Sequence, residues 1–329
     1  MRPACSPRAP QRKGRGRPGP AGDDDRRPAP SPAVLHGGIG LCLLAIFLFQ
    51  VVNLLGKHLA EVYPIPLLVF FRSLFALLAS TLLIARTGGT ALLRTRRPGI
   101  LFLRALVWLA MLFCSFASYH LLPVPAAATI GFAAPILAAL LAALVLKERL
   151  PPSGWCAVGA AFLGVAVALR PGGALSPVGI LAALGNAAFY ALGAVMVRAL
   201  ARSEASATII FYCCAVATAA SAIMLPAFWV APTLADLFLL CVLGLLGALA
   251  QYLATEAYRL APASLVAPFT YSGLIWALLF GALIWDEHPD GLALLGAAMI
   301  VAAGFWLFRR SAPAAPAPLP ASKVAGRPR

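Results

Sequence analysis

Ten apolar stretches, each about 20 residues long, run through most of this chain and decide what it can fold into. An apolar helix of that length crosses the hydrocarbon core of a bilayer. Only helices and closed barrels satisfy their backbone hydrogen bonds in lipid, and the stretches lack the two-residue alternation of barrel strands. The predicted spans are 36–55, 66–84, 100–119, 126–146, 153–169, 178–198, 207–228, 237–258, 264–284 and 291–308. We therefore expect an all-α membrane protein with ten transmembrane helices.

The composition supports a membrane protein independently of the stretches. Hydrophobic residues make up 61% of the 329 residues, and charged residues only 11%. A soluble domain carries about 25% charged residues. The composition therefore excludes an ordinary soluble domain.

Part of the sequence is an internal repeat, in which equivalent residues recur at a constant offset of 139 positions. The diagnostic pairs are Tyr119 with Tyr258, Pro123 with Pro262 and Glu148 with Glu287. The duplication predicts two five-helix repeats, residues 34–170 and 171–310. Because five is odd, the second repeat must insert upside down relative to the first, as in carriers built from inverted repeats. The basic segment 1–33 and the Ala/Pro-rich segment 311–329 are expected to be disordered tails.

The distribution of Lys and Arg predicts the orientation. With the N-terminus in the cytoplasm, 22 of the 26 basic residues fall on the cytoplasmic side. We therefore expect a multi-pass protein of the inner (plasma) membrane with both termini cytoplasmic. The net charge of +15 is then a topology signal and an attraction to the anionic lipid of the bilayer. This interpretation is favoured over nucleic-acid binding.

Motifs for catalysis, metals or cofactors are missing from the sequence. The seven cysteines form no Cys-x-x-Cys pair, and the four histidines stand apart from one another. No P-loop and no Gly-x-Ser-x-Gly motif occurs. We therefore expect neither an enzyme nor a metal or cofactor site.

Polar residues inside the spans are the candidates for a substrate pathway, because each is costly in lipid. Arg72 lies about two turns into the second span, where substrate contact and structural hydrogen bonding are equally good explanations. Arg104 lies about one turn from a span end, which favours snorkelling to the surface. Asn53 shares a helix face with Gln50 and Lys57, and Asn186 shares one with Tyr190. Each stripe faces a central pathway or bonds to a neighbouring helix.

Prolines and acids near the spans supply further candidates. Pro135 and Pro268 lie inside spans, where each frees a backbone carbonyl, and Thr270 and Tyr271 follow the second. A polar kink fits a binding site, although a simple kink is the equal alternative.

Three carboxylates complete the candidates. Glu256 either binds a coupling proton or is a hydrated acid balanced by Arg259. Glu148 and Glu287 are expected to be gate or helix-end residues, because both fall at span ends.

The residues resemble the EamA family of the drug/metabolite transporter superfamily. The resemblance rests on Asn53, Lys57, Leu59, Phe71, Arg72, Arg104, Leu122, Pro123, Ile130, Phe132, Pro135, Leu146, Glu148 and Arg149 in the first half, and on Ala267, Pro268, Tyr271, Glu287, Pro289, Asp290, Gly291, Gly296 and Ala298 in the second. The second-half motifs are similar to those of the branch with S-adenosylmethionine-uptake and riboflavin-uptake carriers. The resemblance implies a ten-helix secondary carrier.

Together these features predict a secondary-active transporter of a small polar or amphipathic metabolite. An amino acid, a nucleoside-like cofactor and a flavin all fit the candidate residues. The expected mechanism is alternating access of the two inverted repeats. The alternative from another class is a membrane enzyme or accessory scaffold that transports nothing.

Overall fold

The protein is built almost entirely of long helices. A computed structural model describes residues 32–87, 95, 97–145, 152–169, 175–200, 204, 206–260 and 266–310. The helices are α1 (Pro32–Ala60), α2 (Ile65–Thr87), α3 (Pro98–Leu121), α4 (Val124–Gly131), α5 (Ala134–Val145), α6 (Pro152–Leu169), α7 (Pro177–Leu200), α8 (Ser206–Phe228), α9 (Leu234–Leu260), α10 (Ser272–Trp285) and α11 (Gly291–Arg310). A 3₁₀ turn, Ala267–Tyr271, precedes α10.

The predicted all-α membrane fold is confirmed. Within the described ranges, 7 helical segments are long and apolar enough to cross a membrane, and three shorter apolar helices complete the set of ten spans. The predicted tails lie outside the described residues, except that Pro32 and Ala33 already belong to α1. The chain is therefore a multi-pass membrane protein.

Two of the spans are interrupted, and both contain a predicted proline kink. The fourth span is divided into α4 and α5, which are separated by Phe132 and Ala133 just before Pro135. The ninth span begins as the 3₁₀ turn that contains Pro268 and continues as α10. Proline lacks the N–H that an α-helix needs and its ring collides with the preceding turn, which explains the breaks.

The helices pair as two inverted five-helix repeats require. The first repeat comprises α1–α6, and the second comprises α7–α11. Helix α1 packs on α9 in the same way that α7 packs on α3, while α2 packs on α8 and α6 on α11. Each of the last two pairs joins a helix to its own counterpart in the other repeat.

The packing of α1 against α3 has no counterpart in the described helices of the second repeat. Helix α1 packs against α3, and the backbone of Gly56 lies directly against the ring of Phe116. The counterparts α7 and α9 have no comparable packing. We call the face at which α1 begins the N-side and the other face the opposite side. The bundle is therefore tightly packed toward the opposite side and looser toward the N-side.

Candidate functional site

The looser half of the bundle contains two adjoining chambers. The larger, of about 410 Å³, reaches from Arg72 on α2 to Glu256 near the end of α9. The smaller, of about 220 Å³, lies between α3, α7, α8 and α9 and is lined by Arg104 and Tyr258. Both chambers share the side chains of Trp108, Ile210, Cys214, Gln251 and Thr255. The two chambers therefore adjoin each other, and both extend toward the N-side.

Arg72 stands at the deep end of the larger chamber. It lies seven residues after the start of α2, or about 10 Å along the helix axis, and only 8% of its surface is exposed. Its guanidinium lies beside Gly247 of α9 and 5.9 Å from the centre of the Trp108 ring. Among the described residues, no carboxylate forms an ion pair with it. Arg72 is therefore a buried cation without an ion-pair partner in the part of the chain that the structure describes.

Arg104 also turns inward, and the expectation that it snorkels to the surface is wrong. Only 8% of its surface is exposed, and its guanidinium carbon lies 5.4 Å from the centre of the Trp108 ring. A Cβ on Gly193 of α7 would lie 3.2 Å from the same guanidinium carbon, so the glycine leaves it space. Its Nε atom is buried without a hydrogen-bond partner.

The opposite side is closed by a charged contact between the two repeats. Lys57, at the end of α1, donates a hydrogen bond of 2.5 Å to Oε1 of Glu287, which follows α10. The other carboxylate oxygen accepts a hydrogen bond of 2.6 Å from the backbone N–H of Val124, at the start of α4. Lys57 also lies 4.9 Å from the centre of the Trp285 ring. We call the group formed by Lys57, Glu287 and Val124 the outer seal.

Glu287 reaches this position because of the backbone around it. Helix α10 ends at Trp285, and Asp286 takes a left-handed conformation with φ of 55°. The N–H of Glu287 then bonds back to the carbonyl of Gly281. This turn directs the Glu287 side chain to α1 and α4, so a residue just beyond the end of α10 contacts both helices.

A chain of hydrogen bonds continues from the outer seal toward the middle of α1. The amide nitrogen of Asn53 donates to Tyr119 Oη at 3.2 Å and to Gln50 Oε1 at 3.1 Å. The amide nitrogen of Gln50 in turn donates to the carbonyl of Gly273 at 2.8 Å. The polar stripe predicted on α1 therefore ties α1 to α3 and α10 in this conformation.

The two repeat-related tyrosines occupy different environments. Tyr119 is buried and accepts the hydrogen bond from Asn53, whereas Tyr258 is 47% exposed and lines the smaller chamber. The position equivalent to the closed α1–α3 contact is thus an open space between α7 and α9. The same residue type marks the closed end and the open end.

The other two polar residues of the second repeat lie on α7. Asn186 is half-buried, and its amide nitrogen approaches Gly131 at the end of α4. Tyr190 is 52% exposed and lies one turn before Gly193, which faces Arg104. Asn186 therefore lies near the break in the fourth span, and Tyr190 lies near Arg104.

Thr270 and Tyr271, which follow Pro268, line neither of the two chambers. Tyr271 is 3% exposed and packs between the rings of Phe132 and Phe305, at centroid distances of 6.1 and 6.4 Å, and against Gly304 of α11. Its hydroxyl is buried without a hydrogen-bond partner. Thr270 is half-buried in the same turn. In this conformation Tyr271 therefore belongs to the apolar packing between the 3₁₀ turn and α11.

The candidate carboxylates lie in different parts of the protein. Glu256 lines the larger chamber nine residues beyond Gly247, about 13 Å further along α9 toward the N-side. It therefore lies at a different depth from Arg72. Glu148, the repeat counterpart of Glu287, is outside the described residues. In the part of the chain that the structure describes, no group of three or more His, Cys, Asp and Glu side chains could hold a metal ion.

Sequence reasoning missed the residues that join the two arginines. Trp108 is an ordinary aromatic residue in an apolar stretch, and its spacing of four from Arg104 was the only signal that the two share a helix face. The opposing glycines, Gly193 and Gly247, carry no signal in the sequence. Their role becomes apparent only when α7 and α9 are placed beside the arginines.

Comparison with known proteins places these features in a family. The model of the EamA-like transporter family matches twice, over residues 36–170 and 177–309. The chain is 33% identical to the pseudopaline exporter CntI of Pseudomonas aeruginosa (strain UCBPP-PA14), over 84% of this chain and 97% of that protein. It is 30% identical to a riboflavin transporter of Rhizobium johnstonii, over 85% and 93% of the two chains.

More distant similarities extend the comparison. The chain is 26% identical to an S-adenosylmethionine uptake transporter of Rickettsia bellii, over 82% of this chain and 92% of that protein. A solved crystal structure superimposes with a TM-score of 0.59 at 23% identity, over 84% of this chain and 98% of the other. That structure supports the fold.

Proposed function

Because the chain belongs to the EamA-like transporter family, we propose that it moves a small polar or amphipathic metabolite across the membrane by alternating access. The observation that carries the proposal is a cavity holding a buried cation at one side of a bundle whose other side is closed by a charged contact. A binding site accessible from one side at a time is what alternating access requires. Movement of the packed pair α3 and α7 against the packed pair α1 and α9 would exchange the closed and open sides.

The asymmetry of the repeats supports this mechanism. At the opposite side, the Asn53–Tyr119 hydrogen bond and the Gly56–Phe116 contact hold α1 against α3. At the N-side, Tyr258 faces the smaller chamber instead. In the alternate state we expect α7 to close on α9 while the outer seal separates. Two equivalent halves then exchange environments, which is the behaviour of an inverted repeat.

The orientation follows from the charges. The concentration of Lys and Arg on the N-side makes it the cytoplasmic face of an inner membrane, with both termini in the cytoplasm. The structure then corresponds to an inward-open conformation with the outer seal closed. Two charged or polar contacts accompany the seal on that side: Trp285 donates to Glu61, and Tyr63 donates to Asp236.

The residues suggest the chemistry of the substrate. An arginine that lies deep in the bilayer without an acid partner is costly, and a carboxylate or other anionic group can bind its fork with two hydrogen bonds. We therefore propose that Arg72 anchors an anionic group of the substrate. Similar proteins are named for pseudopaline, riboflavin and S-adenosylmethionine, so amino-acid, flavin and nucleoside-like classes all remain candidates.

Other predicted residues take roles around this anchor. Asn53, Asn186 and Tyr190 are proposed to contact substrate along the pathway. Thr270 and Tyr271 are proposed to do so only in the alternate conformation, because Tyr271 is buried here. Glu256, at the cytoplasmic mouth of the larger chamber, is the proposed carrier of a coupling proton.

Counterflow in proteoliposomes tests transport directly. Liposomes loaded with a panel of unlabelled amino acids, flavins and nucleosides should accumulate the matching labelled compound, and protein-free liposomes should not. A membrane enzyme or an accessory scaffold gives no counterflow with any compound. That result with folded, ligand-free protein would reject the transporter proposal in favour of the alternative.

Native Cys214 offers a second readout that depends on the cavity itself. It is buried but lines both chambers, so a small polar thiol reagent that enters from the cytoplasmic face should label it slowly in a variant that keeps only this cysteine. A transported substrate should slow its labelling. A variant that keeps only the exposed Cys156 of α6, which lines neither chamber, serves as the control and should show no protection.

A further inference from the structure

We propose that the substrate carries two anionic groups, which bind Arg72 and Arg104 at the same time beside Trp108. This inference rests on the proposed function and specifies its substrate class as a short dianion, such as a dicarboxylate or an amino acid with an acidic side chain.

The first support is that both guanidinium groups are buried and lack an acid partner. Each arginine is 8% exposed, and among the described residues neither forms an ion pair with a carboxylate. The Nε atom of Arg104 also lacks a hydrogen-bond partner altogether. A buried unpaired cation is strongly unfavourable, so a site with two of them is arranged for anionic ligands.

The second support is that both guanidinium groups lie close to the same ring. The guanidinium carbons of Arg72 and Arg104 lie 5.9 and 5.4 Å from the centre of the Trp108 ring. They can therefore be no further apart than these two distances combined. Trp108 lines both chambers, Arg72 lines the larger and Arg104 the smaller. A ligand that spans the two chambers reaches both cations.

The third support is the wall that faces the arginines. The guanidinium groups of Arg72 and Arg104 lie directly against Gly247 and Gly193, where a Cβ would meet them at 3.5 and 3.2 Å. The polar groups that both chambers share are the amide of Gln251, the hydroxyl of Thr255 and the thiol of Cys214. These neutral groups can orient the body of a ligand without competing for its negative charges.

Two further observations define the size and the limits of the site. Chambers of about 410 and 220 Å³ suit a small molecule and leave little room for a macromolecule. The acid in the larger chamber, Glu256, lies about 13 Å beyond Gly247 along α9, so its negative charge is remote from Arg72. It stands where a positively charged part of the ligand, such as an amino group, would enter.

Binding measurements on the purified full-length protein in nanodiscs test the inference. The probes are succinate, glutarate and adipate, each compared with its monomethyl ester, which keeps the chain and loses one charge. We expect at least one diacid to bind 10- to 100-fold more tightly than its ester, about the contribution of hydrogen bonds to one additional charged group. The shift in thermal stability should follow the same order.

Variants assign that preference to its residue. Arg104→Gln should remove the preference for the diacid while it retains binding of the monoester at Arg72. Arg104→Lys keeps the charge without the fork and should reduce the preference only partly. Arg86→Gln removes a cation from the exposed end of the same helix as Arg72 and should change neither affinity.

The outcomes separate the dianion from transport. Equal binding of diacid and ester, or a preference that survives in Arg104→Gln, would overturn the two-anion site. A folded wild-type protein that binds no diacid in the series would also overturn it. Counterflow of any panel compound would still support the transporter in each of these cases. The absence of counterflow both with the panel compounds and with the diacids, while diacid binding stays intact, would instead reject transport and keep the site.

Discussion

Replacing Glu287 with glutamine removes a charge from the outer seal and leaves the size of the side chain nearly unchanged. The glutamine oxygen can still accept the hydrogen bond from the backbone N–H of Val124. Lys57 loses its ion pair and keeps the carbonyl oxygen of Leu122 at 3.4 Å and the ring of Trp285 at 4.9 Å. The substitution therefore isolates the charge on Lys57.

The size of the effect follows from the burial of the pair. The side chains of Lys57 and Glu287 are 8% and 18% exposed, so solvent screens their interaction only weakly. Removing one partner of a buried pair costs about 3–5 kcal/mol, and the 18% exposure of Glu287 lowers this to about 2–4 kcal/mol. We expect the closed opposite side to lose about 2–4 kcal/mol relative to an open one, in which Lys57 is hydrated. This corresponds to a shift of roughly 30- to 1,000-fold in the equilibrium between them.

Accessibility from outside the cell measures this equilibrium. Ala277 of α10 is 1% exposed and lies beneath the outer seal, in a cluster with Tyr119 and Val124. A cysteine at this position, in a cysteine-free protein, should react slowly with a membrane-impermeant maleimide while the seal is closed. Glu287→Gln should raise its labelling rate by at least tenfold.

Two comparisons make the result specific. Glu61→Gln removes a carboxylate from the same side, one that accepts a hydrogen bond from Trp285 in an exposed position, and should leave labelling near the original rate. The double variant Lys57→Met/Glu287→Gln leaves no unpaired charge and should label more slowly than Glu287→Gln alone. Unchanged labelling in Glu287→Gln, or a double variant that labels faster than the single, would refute the outer seal as a charge-dependent closure.

The remaining predictions concern the anchor, the topology, coupling and packing. Arg72→Lys should weaken substrate binding by about 10- to 100-fold, because the fork is lost, with expression and thermal stability near wild type; a parallel fall in all three would indicate a structural arginine. Reporters active only in the cytoplasm should be active when fused after Arg97 and after Arg310, and silence at position 310 would contradict the even number of spans. Glu256→Gln should abolish the response of transport to a pH gradient while counterflow persists; a retained response would exclude Glu256 as the proton carrier. Gly304→Ala should destabilise the protein by about 1–3 kcal/mol, because its Cβ collides with the hydroxyl of Tyr271, and adding Tyr271→Phe should recover part of the melting temperature.

The fold could be predicted from the sequence because a lipid bilayer permits few kinds of backbone structure. An apolar stretch of about 20 residues must be helical to satisfy its backbone, so the spans follow from length and hydropathy alone. The breaks at Pro135 and Pro268 were predictable for a similar reason, since proline cannot complete a helical hydrogen bond. Pro226 leaves α8 unbroken because it lies only two residues before the end of that helix. Each of these inferences needs only the local chain.

The site was less predictable because its contacts join distant parts of the chain. Lys57 and Glu287 are separated by 230 residues, and although the repeat drew attention to Glu287, nothing in the sequence identified its partner. Arg104 was expected to snorkel because its distance from the helix end was counted along α3. Its actual environment is decided by Gly193 on α7 and by Trp108. Tyr271 follows a proline and was expected to line a site, yet the gap that accepts its ring is made by Gly304 on another helix.

The division of the chambers between the repeats decides what surrounds a bound anion. Arg72, Arg104 and Trp108 all belong to the first repeat, whereas Gly247, Gln251 and Thr255 on the facing helix belong to the second. A bound anion would therefore be held by side chains of the first repeat and would meet neutral residues of the second repeat at the level of Arg72. The acid among the described lining residues, Glu256, also belongs to the second repeat, about 13 Å further along α9 than Gly247. A carboxylate therefore opposes the anion only toward the N-side, where the larger chamber ends.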